Sequence, residues 1–344
     1  MKIMQHKISL IAVSILLITG CDSKTAAPTP QRGSGTQIEL LNVSYDPTRE
    51  LWKDLNTSFA EAFQRQTGNT VTIKQSHGGS SSQARSVIDG LEADVVSLAM
   101  WQDTDQIRQK GLIKEGWEER FPDRSLPYTS TIVFVVRKGN PKGIKDWSDL
   151  AKPGVQIVTP NPKTSGNGKL AFLAAWGSVV LNGGTEEQAR EYVTTLYKQV
   201  PNLDTGARGS TTTFAQKGIG DVHLTWENEA HLEVHEAKGE LEIVYPTLSI
   251  LAEPHVALVD ANVDRRKTRE AAEAYLKFLY TPEGQEIIAR HFYRPGDAKV
   301  LEKHRDRFPP MKLFLITEIA SSWNDAQTKF FAEGALFDSI YQSK

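Results

Sequence analysis

His77-Gly78-Gly79-Ser80-Ser81-Ser82 follows a strand-like stretch, Val71 to Gln75, and opens a helical run from Ser80 to Leu91 in which Ala84, Val87, Ile88 and Leu91 recur at helical spacing. A strand that passes through a Gly/Ser turn into a helix is the building unit of an α/β sheet. The junction occurs twice more. Lys163-Thr164-Ser165-Gly166-Asn167-Gly168-Lys169 separates the strand Val155 to Thr159 from the helix Ser165 to Val180, and Gly206-Ala207-Arg208-Gly209-Ser210-Thr211 precedes a helix over Ser210 to Lys217. The first N–H groups of a helix have no partner within it, and the helix dipole places partial positive charge at the same end, so each junction is a candidate anion site that needs no lysine or arginine. Three such turns, followed by the indole donor of Trp226 in Leu224-Thr225-Trp226-Glu227-Asn228-Glu229, point to a small anion wrapped by neutral donors.

Working outward, Gln37 to Ser44 reads as the first strand, and Asp46-Pro47 opens a helix with an apolar stripe of Leu51, Leu55, Phe59 and Phe63 that Gly68 stops. Asp94 to Ala99 is the third strand. Strands alternating with helices at this spacing predict a mainly parallel sheet. The β-rich run Tyr128 to Arg137, ending at Gly139-Asn140-Pro141, is placed to cross to a second lobe. There the strand Val155 to Thr159, the helices from Ser165, Thr185 and Ser210, and the strand Asp221 to Trp226 form a second series. Ser249 to Asp260 is the expected return crossing, after which the helices Thr268 to Leu279 and Pro282 to Arg290 cover the first lobe with the tail to Lys344 packed on it. The expected organisation is a first lobe of residues 37–127 and 250–344 and a second lobe of residues 128–249. No fixed-period repeat interrupts it.

Composition places the 344-residue chain, 39% hydrophobic and 24% charged with a formal charge of −2, among ordinary globular proteins of about two domains, and no basic run suggests nucleic acid. The first residues differ. Lys2 and Lys7 precede an apolar run from Ile8 to Ile18 that is too short to span a bilayer and has the length of a signal-peptide core. It ends in Ile18-Thr19-Gly20-Cys21, which resembles a bacterial lipobox, so residues 1–20 are expected to be a signal peptide and Cys21, the sole cysteine, a lipid attachment point. Residues 21–36 then read as a tether. Cleavage removes two lysines and no acid, taking the formal charge from −2 to −4, so anion affinity must come from aimed local donors rather than from a long-range field.

Each candidate also has a plainer reading. Ser80-Ser81-Ser82-Gln83 is a capping box if Gln83 folds back onto the Ser80 N–H. Lys163 to Lys169 lacks the spacing of a phosphate loop, and a Gly-rich turn explains it equally; Ser165 there offers a hydroxyl and an N–H, Gly166 and Asn167 an N–H each. Asp46 is a helix cap first and a supporting residue second. Arg208 either pairs with the ligand or braces the loop presenting the Ala207 N–H, and Trp226 either donates to the ligand or is core. His231 and His235 are four apart but not in a His-Glu-x-x-His order, which leaves a solvated helix face as the better reading over a metal site. Ser80 with His77 makes a poor nucleophile and base, and no Gly-x-Ser-x-Gly elbow or zinc pattern supports a secreted hydrolase.

Leu40-Leu41-Asn42-Val43-Ser44-Tyr45-Asp46-Pro47-Thr48-Arg49-Glu50, Gln75 to Ser80, Glu92 to Val96, Thr159-Pro160-Asn161-Pro162-Lys163-Thr164-Ser165-Gly166, Gly206 to Ser210 and Trp226 to Glu229 together resemble the periplasmic sulfate-binding proteins of ABC importers, over about Ile38 to Tyr341. The resemblance implies a two-lobed, type II periplasmic-binding-protein fold with sulfate in the cleft between the lobes. It implies the backbone N–H of Ser80, the hydroxyl of Ser165, the N–H groups of Gly166, Asn167 and Ala207 and the indole of Trp226 as donors, braced by Asp46 and Arg208. Asn167 stands where many relatives carry a second glycine. The implied partners are the membrane permease of an importer and its cytoplasmic ATPase, the implied state a monomer in the periplasm or on the outer face of the cytoplasmic membrane. Neither enzyme activity nor a cofactor or metal is implied. Thiosulfate is a second possible ligand, molybdate or tungstate a third, and a sensory adaptor an alternative role.

Overall fold

The structure, a computed structural model, describes residues 35–342; the expected signal peptide, Cys21 and nearly all of the tether lie outside the described residues. Among the described residues no helix is long and apolar enough to cross a membrane. Strands β1 (Gln37–Tyr45), β2 (Thr70–Gly78) and β3 (Val95–Leu98) come first, followed by β4 (Tyr128–Thr129) and β5 (Ile132–Arg137). Next are β6 (Ile157–Pro160), β7 (Leu203–Asp204), β8 (Val222–Trp226), β9 (Leu241–Val244), β10 (Leu248–Ile250) and β11 (His255–Leu258), and last β12 (Arg294–Pro295) and β13 (Lys312–Phe314).

Two larger sheets result, in the orders β11-β3-β1-β2 and β7-β6-β8-β5-β9, beside the two-stranded pairs β10-β13 and β12-β4. In the first, β1 runs parallel to β2 and β3, and β11 is antiparallel to β3. In the second, β6 runs parallel to β7 and β8, while β5 is antiparallel to both β8 and β9. The reversed strand of each sheet is the one the chain enters after crossing from the other, which is why both sheets are mainly parallel with a single exception. The two crossings touch: Ser130 and Ala252 exchange backbone hydrogen bonds of 3.1 and 2.9 Å.

Local rules account for most elements. Asp46–Thr48 forms a tight turn with proline in its first positions, leading into the helix Arg49–Thr67, and Gly68 closes that helix at φ 76° with its N–H on the Gln64 carbonyl at 2.9 Å. Leu51, Trp52, Leu55, Phe59 and Phe63 bury the inner stripe of that helix. The helix Glu186–Lys198 starts on a capping box in which Thr185 and Gln188 bond each other's backbone N–H.

The tail departs from expectation. Instead of covering the first sheet, β13 pairs with β10, and Phe330, Phe331 and Phe337 close on Phe172 at ring distances of 5.8, 5.4 and 6.1 Å. Lys163 secures it through the carbonyls of Phe331 and Ala332 and the Asp338 carboxylate, at 3.0, 3.1 and 2.8 Å. The reason lies in the helix Gly166–Val180, which carries Phe172 and is buried without a break from Gly166 to Gly177. A helix apolar all round needs cover on more than one face, and the second sheet supplies only one. The expected helix Ser210 to Lys217 also starts earlier, as Ala207–Thr211, and continues as a wider π-turn over Thr212–Gln216.

Candidate functional site

The three Gly/Ser turns meet between the two sheets. A Cβ built on Gly79 would lie 2.3 Å from the Thr164 carbonyl and 3.1 Å from that of Thr205. One on Gly166 would lie 2.5 Å from the Ala99 Cβ, and one on Gly206 2.3 Å from Asp46 Oδ2. Each contact joins a residue of one half to a backbone of the other, so glycine is required there for close approach rather than for an unusual backbone angle. The turns border a small cavity lined by Tyr45, Asp46, Pro47, Gly79, Ser80, Ser165, Gly166, Asn167, Ala207 and Trp226. Seven of the eight residues singled out above for the anion line it; Arg208 does not.

The hydrogen-bond pattern separates the groups already engaged from those turned to the cavity. Gly79, not Ser80, precedes the first turn of the helix Ser80–Ile88, and the Gln83 side chain accepts from the Ser76 hydroxyl at 3.2 Å instead of folding back, so the capping box does not form. The Ser80 hydroxyl donates to Asp103 Oδ2 at 2.6 Å and accepts from the Ala99 N–H at 3.1 Å, which leaves Ser80 its backbone N–H for the cavity. The Ser165 N–H donates to the Asn161 carbonyl at 2.9 Å, so of the two donors it carries the hydroxyl remains, and that hydroxyl makes no cap bond to its own helix. Gly166 and Asn167 begin that helix with the unpaired N–H groups of any first turn. Asn167 is in regular helical backbone, and its side chain turns aside to donate to the Leu224 carbonyl at 2.9 Å, tying the turn to β8. Ala207 begins the third turn.

Trp226 ends β8 fully buried, with its indole N–H unpartnered among the described residues and its ring 5.1 Å from that of Tyr45. An unmet buried donor costs about 1–3 kcal/mol, so an indole N–H at the wall of a small cavity marks where an acceptor belongs. Asp46 is held by Arg49 at 2.8 Å. Arg208 stands behind the cavity, its guanidinium 2.9 Å from Glu50 of the first half and 3.1 Å from Glu229 of the second, and Asn228 donates to the Pro47 carbonyl at 3.2 Å across the same junction.

Other pairings suggested by the sequence are not made. His77 bonds the Ser44 hydroxyl at 2.7 Å, and burial, reinforced by Arg49, lowers its pKa to about 4; Ser80 is engaged with Asp103, so the two form no dyad. His231 bonds the Tyr245 hydroxyl at 2.9 Å and stacks on Phe292 at 3.9 Å, and among the described residues no group of three or more His, Cys, Asp or Glu is placed to hold a metal.

Sequence reasoning missed Asp103 and Lys169. Asp103 lies on the helix Trp101–Gln109, which has no clear apolar stripe, and accepts from both Ser80 and Ser81. A signal for Lys169 did exist: a lone lysine in the otherwise apolar run Gly168-Lys169-Leu170-Ala171-Phe172-Leu173 calls for a buried counter-charge.

Two α/β halves, joined by paired crossings and closed on a small donor-lined cavity, define a ligand-binding protein of the periplasmic-binding-protein fold. The chain belongs to the bacterial extracellular solute-binding proteins, whose family profile matches residues 52–294. It is 55% identical over 305 residues to the sulfate-binding protein of Escherichia coli K12, covering 88% of this chain and 93% of that one. It is 50% identical to the thiosulfate-binding protein of Pseudomonas aeruginosa PAO1, over 88% of this chain and 92% of that one. The solved sulfate-binding protein SubI of Mycobacterium tuberculosis H37Rv superposes with a TM-score of 0.79 at 30% identity, covering 86% of this chain and 99% of that one.

Proposed function

We propose that this protein captures sulfate outside the cytoplasm, with thiosulfate as the closest alternative ligand, and delivers it to the permease of an ABC importer driven by a cytoplasmic ATPase. The observation that carries the reading is the buried indole N–H of Trp226, without a partner among the described residues, beside the helix-start donors of Ser80, Gly166, Asn167 and Ala207 and the Ser165 hydroxyl, all on one small cavity. The relatives named above bear sulfate- and thiosulfate-binding names, which support the same ligand class.

The chemistry selects for a fully deprotonated oxyanion. Sulfate at neutral pH presents only acceptors, and each hydrogen bond from a neutral donor to a charged acceptor contributes about 1.5–3 kcal/mol. Monohydrogen phosphate brings a proton that would face other donors, a mismatch costing several kcal/mol, of order 2–7 for a buried polar group. The one carboxylate at the wall, Asp46, is engaged by Arg49 at 2.8 Å and abuts Gly206, which leaves it a bracing role. The ligand bridges Ser80 of one half and Ser165, Gly166, Asn167, Ala207 and Trp226 of the other, so binding drives closure about the Ser130–Ala252 crossing, and the closed shape is what a permease recognises.

Calorimetric titration of the purified protein with sulfate, thiosulfate, phosphate and molybdate tests the assignment. Tight binding of sulfate or thiosulfate with none of phosphate is expected; a preference for molybdate would replace the ligand. The same protein is proposed to act as a monomer without turning its ligand over, anchored by lipid on Cys21. Cys21→Ser should then release it from the membrane fraction, and retention there would remove the anchor.

A further inference from the structure

Behind the cavity, a chain of polar groups joins the turn Ala207–Thr211 to the helix Glu227–Glu236. The Thr211 hydroxyl lies 3.3 Å from Glu229 Oε2 and 3.0 Å from Glu233 Oε1. Glu233 in turn contacts His223 Nδ1 at 2.9 Å. Glu229, Glu233, His223 and Thr211 are all buried. A hydroxyl has one proton to donate, yet here it lies within hydrogen-bond distance of two carboxyls.

Counting protons restricts the arrangement. Among the described residues His223 Nε2 is buried with no partner, so the ring engages through Nδ1, which donates to Glu233 at 2.9 Å. Glu233 thus receives two donors, His223 and the nearer Thr211 contact, and suits the negative charge. The Thr211 oxygen, having given its proton to Glu233, can still accept one from Glu229. Among the described residues the only cation in contact with Glu229 is Arg208, which it divides with Glu50 of the opposite half. The sequence Glu229–H to Thr211–H to Glu233, with His223 on the far side, satisfies every contact with one carboxylate charge, on Glu233, and leaves the Arg208 charge to Glu50.

We propose that Glu229 and Glu233 hold one proton between them through the Thr211 hydroxyl, resting on Glu229, and that this neutral acid is the positioning group for the turn that presents the Ala207 N–H. The inference rests on the sulfate reading only for what Ala207 does. A second bare carboxylate one layer behind a bound dianion would repel it, and the shared proton removes that charge. The groups facing Glu229 are consistent with it. Arg208 and Thr211 lie on its neighbouring turn, Glu50 on the helix Arg49–Thr67, Glu233 on its own helix, and Tyr293 after the helix Pro282–Arg290, while Glu236 acts on Arg208 and His223 of β8 on Glu233. Burial is the largest influence on Glu229 and, against the opposing pull of Arg208, lifts its pKa from 4.5 to about 8.

Infrared difference spectroscopy of the full chain at neutral pH tests this directly. A protonated carboxylic acid carbonyl band is expected in the wild type and absent from Glu229→Gln. A missing wild-type band, or one that persists in the variant, overturns the proposal and leaves the sulfate reading untouched. Glu229→Gln imitates the neutral acid and should keep sulfate affinity within about two-fold, whereas Glu229→Ala should lose about ten-fold. A Gln variant as impaired as the Ala variant would mean that the ionised form is needed. Thermal melting adds a readout that a merely structural role would not move. As pH rises from 4.5 toward about 8 the wild type should lose stability that Glu229→Gln retains, because an acid whose proton is held more tightly in the folded state favours folding at low pH; identical profiles would sink the idea.

Discussion

Lys169 of the second half reaches Asp103 of the first at 3.6 Å, with the two side chains 4% and 1% exposed, and Asp103 also accepts from the Ser80 and Ser81 hydroxyls at 2.6 and 2.9 Å. The pair spans the closed junction beside the cavity, so opening separates and hydrates it while closing brings it together. Removing one partner of a buried pair leaves the other uncompensated, a cost of about 3–5 kcal/mol that falls on the closed state alone. Lys169→Met should therefore weaken sulfate binding by about 150- to 5,000-fold, mostly through faster release. Stopped-flow release and calorimetry check this; an unchanged release rate would show the pair to be incidental to closure.

Trp226→Phe removes one charge-assisted donor and little volume. The expected loss in sulfate affinity is about 10- to 150-fold, from about 1.5–3 kcal/mol. Unchanged affinity by calorimetry would take Trp226 out of the site.

Gly166→Ala keeps the backbone N–H but places a methyl 2.5 Å from the Ala99 Cβ. The halves should be held apart, so that small-angle scattering shows no compaction with sulfate while circular dichroism reports an intact fold. The double variant Gly166→Ala with Ala99→Gly should regain compaction. Full compaction of the single variant would mean that the close approach is dispensable.

His255, at the start of β11 just after the return crossing, is buried, and burial, helped by Arg124 and opposed by the Glu253 backbone, lowers its pKa to about 3. A base held neutral in the folded state stabilises it above the ordinary histidine pKa of 6.5, and that contribution fades as pH falls from there toward about 3. His255→Met should raise the melting temperature more at about pH 5 than at about pH 7. An equal gain at both would mean that packing, not protonation, sets the effect.

How much was legible from sequence followed the range of the forces involved. The turns at Ser80, Ser165 and Ala207 were readable because a glycine-rich strand-to-helix junction is set by backbone sterics and unpaired helix-start donors, which are local. The helix Arg49–Thr67 was readable to its last residue for the same reason, since its stripe, its proline start and Gly68 lie within one segment. Asp103 escaped because its importance comes from Ser80, some twenty positions earlier in the chain, and from Lys169, far beyond it. The tail was misplaced because its aromatic residues lie on a π-turn and a short helix that show no simple period.

The choice at Ser80 shows the division most sharply. Its own four residues favour a capping box, the two glycines before them an anion turn, and the decision fell to Ser76, which takes up Gln83 from the neighbouring strand. The chain alone determined that strands alternate with helices in two series and that three turns carry exposed amides, because those features depend on residues a few places apart. Only the folded molecule decided which hydroxyls are occupied, that Arg208 braces from behind, and that the turns converge on one cavity. Those outcomes depend on packing between segments far apart in the chain, which no local pattern encodes.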